Sequence, residues 1–160
     1  MADSSSKKLT RKEILDSVMM AIREMSALSV IISQTVAEKV GINSTDMECG
    51  DFLQIYGPMT AGKLAELSGL TTGAITGVID RLEKANLAKR EFDPSDRRKV
   101  LVVPSQKRAK EFESYYASLG KSASDALDRY TTDQLNAFLS ISRDMIAISQ
   151  TEIKLMRDVE

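Results

Sequence analysis

Between Thr71 and Val100 the chain runs TTGAITGVIDRLEKANLAKREFDPSDRRKV, and its side chains suit the holding of an anion better than the making of bonds. Thr71, Thr72 and Thr76 supply hydroxyls and methyls, Arg81 supplies a planar guanidinium, and Arg97, Arg98 and Lys99 follow in a charged turn. Lys89 and Arg90 precede that turn, and Lys107, Arg108 and Lys110 come soon after it. Hydroxyls, ammonium groups and guanidinium forks hydrogen-bond phosphate oxygens and other polar edges. Glu91, Asp93 and Asp96 dilute the basic run, so a merely solvated charged face is the competing reading. Asp96 gains nothing itself from a phosphate, but two residues before Arg98 it can hold that guanidinium in a fixed fork.

Groups for covalent chemistry are scarce. The 160-residue chain has no histidine, which removes the commonest general base, the commonest zinc ligand and every imidazole triad. Cys49 is its single cysteine, so an intramolecular disulfide is impossible and a structural zinc site lacks thiolates. No glycine-rich phosphate loop or nucleophile elbow occurs. A hydrolase would have to rely on a converging pair of carboxylates, so no enzyme is expected, and no catalytic residue, metal or cofactor. The composition, 42% hydrophobic and 28% charged, is that of a globular protein, and the net charge of −1 leaves any attraction for phosphates to a local basic surface. Nothing resembles a signal peptide or a membrane span, which predicts a cytoplasmic protein without a membrane partner.

The elements that must position these residues follow from apolar spacing. Ile14, Val18, Ile22, Met25, Ile32, Val36 and Val40 predict one long helix from Thr10 to Val40, ended by Gly41. Capping side chains at 43–45 start a second helix that reaches Tyr56, and GPMT at 57–60 punctuates the chain. Thr60 then caps a short helix over 61–68, which Gly69 ends. Thr71 or Thr72 caps the next, whose Ile75, Val78, Ile79 and Leu82 recur at i, i+3, i+4 and i+7 and whose end falls near Asn86. Two helices joined by so short a turn have helix-turn-helix spacing. Leu87–Phe92 and Lys99–Val103 flank the turn DPSDR and predict a two-stranded β-hairpin, stopped by Pro104, with Ser105 starting another helix. Ala109 to Leu127, with Gly120 as its weak point, and a last helix capped by Thr131 or Thr132 complete a mainly α chain. So small a middle cannot cover the apolar faces of three long helices, which points to a second copy of the chain or, more blandly, to a plain bundle.

A helix-turn-helix lays its second helix in the DNA major groove, and a hairpin beside it can follow the backbone. Thr71, Thr72 and Thr76 can then meet phosphates, bases or thymine methyls, Arg81 a phosphate, and Arg98 a narrow minor groove. Gly73 and Gly77 lie on the outward face of this helix, either for close approach to the groove or because glycine is tolerated there. A protein partner engaging the same helix and hairpin remains the alternative.

The run GPMTAGKLAELSGLTTGAITGVIDRLEKANLAKREFDPSDRRKVLVVP resembles the winged helix-turn-helix core of the MarR family of transcriptional regulators, most specifically through DRLEKANL followed by DPSDRR. The resemblance implies a winged helix with a two-stranded wing, flanked by dimerisation helices. With the polar start over 1–9 read from its composition as a disordered tail, the resemblance divides the rest into a dimerisation region over 10–42 and 105–160 and a DNA-binding region over 43–104. It further implies a homodimer on a pseudo-palindromic operator in double-stranded DNA, usually a repressor relieved by a small phenolic or anionic ligand. The family's contacts carry over onto Thr72, Ala74, Thr76 and Arg81, and its wing motif onto Asp96 and Arg98, within a wing that includes Arg97 and Lys99. Gly77 stands where many members have a basic residue, and Asn86 where glycine is common. One branch senses oxidants through a cysteine early in the first helix. Cys49 lies instead on the second, beside Glu48 and Asp51, whose charges disfavour thiolate, so a packing role is expected and a redox response is the alternative.

Overall fold

A computed structural model describes residues 9–157, and among these the chain forms six helices and one three-stranded sheet. In order they are α1 (Arg11–Val40), α2 (Ser44–Tyr56), β1 (Met59–Thr60), α3 (Ala61–Ser68), α4 (Thr72–Lys84), β2 (Ala88–Phe92), β3 (Val100–Pro104), α5 (Ala109–Leu127) and α6 (Thr132–Arg157). The tail expected over 1–9 lies, except for Leu9, outside the described residues.

Side chains at the helix ends satisfy backbone groups that would otherwise be orphaned. The Thr10 hydroxyl accepts the Glu13 N–H, and the Glu13 carboxylate accepts the Thr10 N–H at 2.7 Å, a reciprocal capping box at the start of α1. Asn43 caps α2 through the Asp46 N–H at 2.8 Å, and Thr60 caps α3 through the Lys63 N–H. The structure chooses Thr71 over Thr72 as the cap of α4, since its hydroxyl accepts the Ala74 N–H. It likewise chooses Thr131 for α6, where Gln134 completes a second box. Only Gly69, Leu70 and Thr71 separate α3 from α4, and Gly69 makes the turn at φ 73°.

The far end of α4 closes on Asn86, the one non-glycine residue with positive φ among those described (59°). The Leu87 N–H returns to the Leu82 carbonyl and the Asn86 N–H to that of Glu83, both at 2.9 Å, the Schellman pattern. This end is tied to the core, because Leu82 is fully buried and Leu87 packs against the same cluster. Ile75, Val78, Ile79 and Leu82 meet Leu64 and Ala65 of α3, Cys49 and Leu53 of α2, and Met59, Ala88 and Val102 of the sheet. Burying a side chain of this size contributes roughly 1.5–3 kcal/mol, so the inward stripe of α4 is the main hold on its position.

The sheet corrects three expectations. It has three strands rather than two, ordered β1-β3-β2, because Met59 and Thr60 pair antiparallel with Val102 and Leu101. The strand does end at Pro104, but with the proline as its last paired residue, opposite Ala88, rather than as the first residue beyond it. Bonds at Asp93–Lys99 and at Ser105–Leu87 put the Ala88–Pro104 pair in a non-hydrogen-bonded position, where β2 needs no proline N–H. Ser105 does not begin a helix either. Its hydroxyl accepts the Lys107 N–H inside a turn, and α5 starts only at Ala109.

By internal packing the chain divides into a unit ending at Glu111 and a second beginning at Phe112. Within the first, α1 exposes Ile14, Leu15, Val18, Met19 and Leu28, and is buried only near its end, at Val36, Ala37 and Val40. Within the second, α6 has no buried residue, and Phe138, Leu139, Ile146 and Ile153 are all exposed. No helix among the described residues is long and apolar enough to cross a membrane.

Replacing Asn86 tests the closure of α4. Asn86→Gly should leave stability to chemical denaturation unchanged or slightly raised. Asn86→Val should lower it by about 1–2 kcal/mol, because a β-branched residue is strained in the left-handed region.

Candidate nucleic-acid interface

The outward side of α4 is small and polar. Thr72, Gly73, Ala74 and Thr76 are exposed in its first half, and Asp80 and Lys84 in its second. Thr71 spends its hydroxyl on the cap, while the Thr76 hydroxyl donates to the Thr72 carbonyl at 3.0 Å and keeps its lone pairs for an outside donor. A Cβ on Gly73 would meet nothing within 4 Å, and one on Gly77 would meet only Nη1 of Arg81 at 3.4 Å. Internal packing therefore requires neither glycine.

Arg81 is turned inward. Its Nε donates to both oxygens of Asp46 at 3.1 and 2.9 Å, and its Nη2 donates to Oδ1 at 2.7 Å. The Asp46 side chain is 1% exposed and that of Arg81 50%. A buried carboxylate in the first turn of α2 thus fixes the last turn of α4, with two guanidinium nitrogens engaged on it. Sequence reading turned Arg81 toward a phosphate and missed Asp46, which stands 35 residues away with no local spacing to connect them. Beside the pair opens a concavity of about 570 Å³, bordered by Arg81, Lys84, Arg108 and Asp46 and by the turn from Val40 to Asn43.

The basic residues divide into two groups. Arg90 of β2 binds the carboxylates of Asp80 and Glu83 on α4, and Arg108 binds Glu111 and the carbonyls of Val40 and Ala85. Lys89 pairs with Glu91, and the Lys107 ammonium reaches the Asn86 side chain at 3.3 Å. These cations of the expected cluster are engaged within the protein, which composition alone did not reveal. At the hairpin turn Arg97, Arg98 and Lys99 are exposed, and Asp96 is shared between Arg98 and Lys99, whose Nζ stands 4.0 Å from its Oδ2. Asp96, 26% exposed, accepts the Arg98 backbone N–H and Nε, both at 3.1 Å, while the Arg98 side chain stays 91% exposed. The carboxylate thus braces the arginine without covering it, the relation expected from their spacing. The turn is pinned from its other side by Asp93, which accepts the Ser95 hydroxyl and N–H at 2.6 and 2.8 Å. The Ser95 hydroxyl does most to hold the Asp93 carboxyl below its ordinary value, so this bond weakens as pH falls through that lowered range.

Cys49 is fully buried in the core. Burial is the chief cause that pushes its thiol up, against a hydrogen bond from Ser68 that lowers it, and the carboxylates that add to the rise are Asp46 and Glu48 rather than the expected Asp51. Such a thiol stays protonated at neutral pH and out of reach of oxidants.

Comparison with known proteins agrees with this arrangement. The sequence model of the MarR family matches residues 53–100, from the end of α2 to the start of β3. The HTH-type transcriptional regulator YcgE of Bacillus subtilis strain 168, itself uncharacterised, is 33% identical over 148 residues, covering 92% of this chain and 96% of that protein. A second regulator of that organism, YwaE, is 29% identical over 91 residues, 57% of this chain and 53% of its own. Among solved structures, a MarR family transcriptional regulator from Silicibacter pomeroyi superposes with a TM-score of 0.63 at 17% identity, over 89% of this chain and 95% of that one. Apo MarR from E. coli gives 0.53 at 17% identity, over 79% and 93%. These likenesses establish the fold.

Two measurements check the geometry. Arg81→Met should destabilise the protein by about 1–3 kcal/mol, because it strands a buried carboxylate, and adding Asp46→Asn should cost less than the sum of the single changes; additive losses in denaturant melts would mean that the two side chains are not coupled. Cys49 should resist alkylation in the native protein at neutral pH and react on unfolding, and the stability gained from its protonated thiol should fade as pH rises above about 9, the usual thiol range.

Proposed function

The chain belongs to the MarR family of DNA-binding transcriptional regulators, which are not enzymes, and on that premise we propose that it acts in the cytoplasm as a homodimer reading a pseudo-palindromic operator. In this reading residues 43–104 meet the DNA, with α4 in the major groove. Thr72, Ala74 and Thr76 face base edges, Thr71 holds the first turn in place, and Arg81 fixes the helix through Asp46 with only its Nη1 edge left for a phosphate. The wing carries Asp96, Arg97, Arg98 and Lys99 along the backbone, with Arg98 in the minor groove, where negative potential favours arginine. The observation that carries this reading is the wing turn itself, with an arginine 91% exposed and braced by its neighbour's carboxylate. A cation so presented is prepared for an external anion.

Residues 10–42 and 105–160 form the dimerisation region. The apolar side chains left open along α1 and α6 support this, since single chains rarely expose so many together. Two recognition helices held by one dimer match half-sites about one helical turn apart. The dimer works as a repressor that a small phenolic or anionic ligand relieves. Relief requires a ligand that binds better to the arrangement in which both half-sites are not reached together. The concavity beside Arg81, Lys84 and Arg108 offers such an anion positive charge within the first unit.

Three outcomes test the proposal. Selection from random duplex DNA at two salt concentrations should enrich an inverted repeat with affinity falling steeply in salt; a folded dimer that enriches nothing in either salt, even with small aromatic acids present, would favour a protein partner. Arg98→Ala should weaken operator binding, lower the salt slope by about 1 and leave the melting curve unchanged. Gly73→Ala should raise helix stability by up to about 0.5–1 kcal/mol while weakening operator binding, and an unchanged affinity would show that close approach does not need this glycine.

A further inference from the structure

Arg90 lies in the middle of β2, opposite Val102 of β3, and is a half-buried arginine whose work faces the neighbouring helix. Its Nη2 donates to Oδ1 of Asp80 at 2.7 Å, its Nη1 donates to Oε2 of Glu83, and its backbone N–H donates to Oε1 of Glu83 at 2.7 Å. One residue of the wing therefore holds two carboxylates of α4, three residues apart and so on one side of that helix. A plain hydrophobic seam would hold the elements together without fixing their mutual angle. A guanidinium that satisfies two carboxylates along fixed directions does fix it.

We infer that Arg90 is a positioning residue that couples the wing to the recognition helix, so that the side chains reading one groove and those following the next are delivered as one body. The inference rests on the DNA-reading roles proposed above and adds to them the element that makes the two readings interdependent. The geometry also explains why two carboxylates are tolerated on α4 beside a polyanion. Asp80 is exposed and Glu83 partly so, and Arg90 offsets one of their two charges and fixes the direction of both carboxylates. The coupling is distinct from that of Arg81, which joins α4 to α2 and has no bond to the wing.

The test is a double-mutant cycle on the full-length protein, with operator affinity measured for Arg90→Gln, Arg98→Ala and the pair, and for Thr76→Val in both backgrounds. The loss caused by Arg98→Ala should shrink by at least about threefold when Arg90 is replaced, while the loss from Thr76→Val should not change. Backbone amide relaxation, read without DNA, should show residues 93–99 loosening in Arg90→Gln while α3 and α4 stay rigid. Arg90→Lys, a point charge that cannot satisfy both carboxylates, should fall between. Should Arg90→Gln fail to fold, Glu83→Gln weakens the same clamp from the helix side and should give the same pattern. With Arg98→Ala effective alone, strictly additive losses overturn the coupling. If Arg98→Ala is silent even in the wild-type background, the wing reading falls instead, and the amides decide the clamp: loosening sustains it and unchanged relaxation overturns it.

Discussion

The rotational setting of α4 on its core depends on a demand made by Asp46. A carboxylate buried to 1% exposure in the first turn of α2 needs a partner of opposite charge, because taking an uncompensated ion out of water costs several kcal/mol. Arg81 meets that demand with two nitrogens, and so α4 is fixed in rotation as well as in depth. The apolar stripe of Ile75, Val78, Ile79 and Leu82 supplies most of the burial, but packing of branched aliphatic side chains leaves some sliding and rolling nearly isoenergetic. The ion pair removes that freedom. Its outer edge is open to water, so its value lies in direction more than in strength.

The cations of this chain sort by geometry into those that build and those that wait. Arg81, Arg90 and Arg108 each satisfy protein acceptors, and they join α4 to α2, β2 to α4, and the segment before α5 to the ends of α1 and α4. Arg97, Arg98 and Lys99 stand at the hairpin turn with their charge outward. A net charge of −1 is compatible with a nucleic-acid surface, since what a phosphate meets is a local basic surface such as that of Arg97, Arg98 and Lys99. Of the carboxylates that dilute the basic stretch in sequence, Glu91 pairs with Lys89 and Asp96 with Arg98, while the building arginines are held by Asp46, Asp80, Glu83 and Glu111.

Local rules made the helices legible. The capping threonines, Gly41, Gly69 and the asparagine that closes α4 act within a few residues of themselves, and the heptad-like spacing of α4 announces its buried side. The bracing of Arg98 by Asp96 was also legible, being a bond across two residues. What escaped was non-local. Met59 and Thr60 form a strand only because β3 arrives beside them from more than forty residues on, and a two-residue strand has no pattern of its own. Pro104 stays in its strand because of a register that only pairing decides. Arg81 and Asp46 are partners that no single window contains, and Arg90 meets its two nearer carboxylates only because the strand after Asn86 folds back beside α4. The wing turn, the outward threonines and the buried cysteine were therefore found from sequence, and the salt bridges that tie α4 to α2 and β2 to α4 were not.

The order β1-β3-β2 gives β3 an unusual station. The strand before the helix-turn-helix and the strand after it do not pair with each other, and each pairs with β3, which comes last. As the chain leaves the ribosome, α3 and α4 are complete in sequence before either of their flanking strands has anything to bond to. Their N–H and C=O groups stay bonded to water until Val100 to Pro104 emerge and can pair with both. The sheet that frames α3 and α4 is therefore complete only once its final strand has been made, and until then neither flanking strand has a partner within the chain.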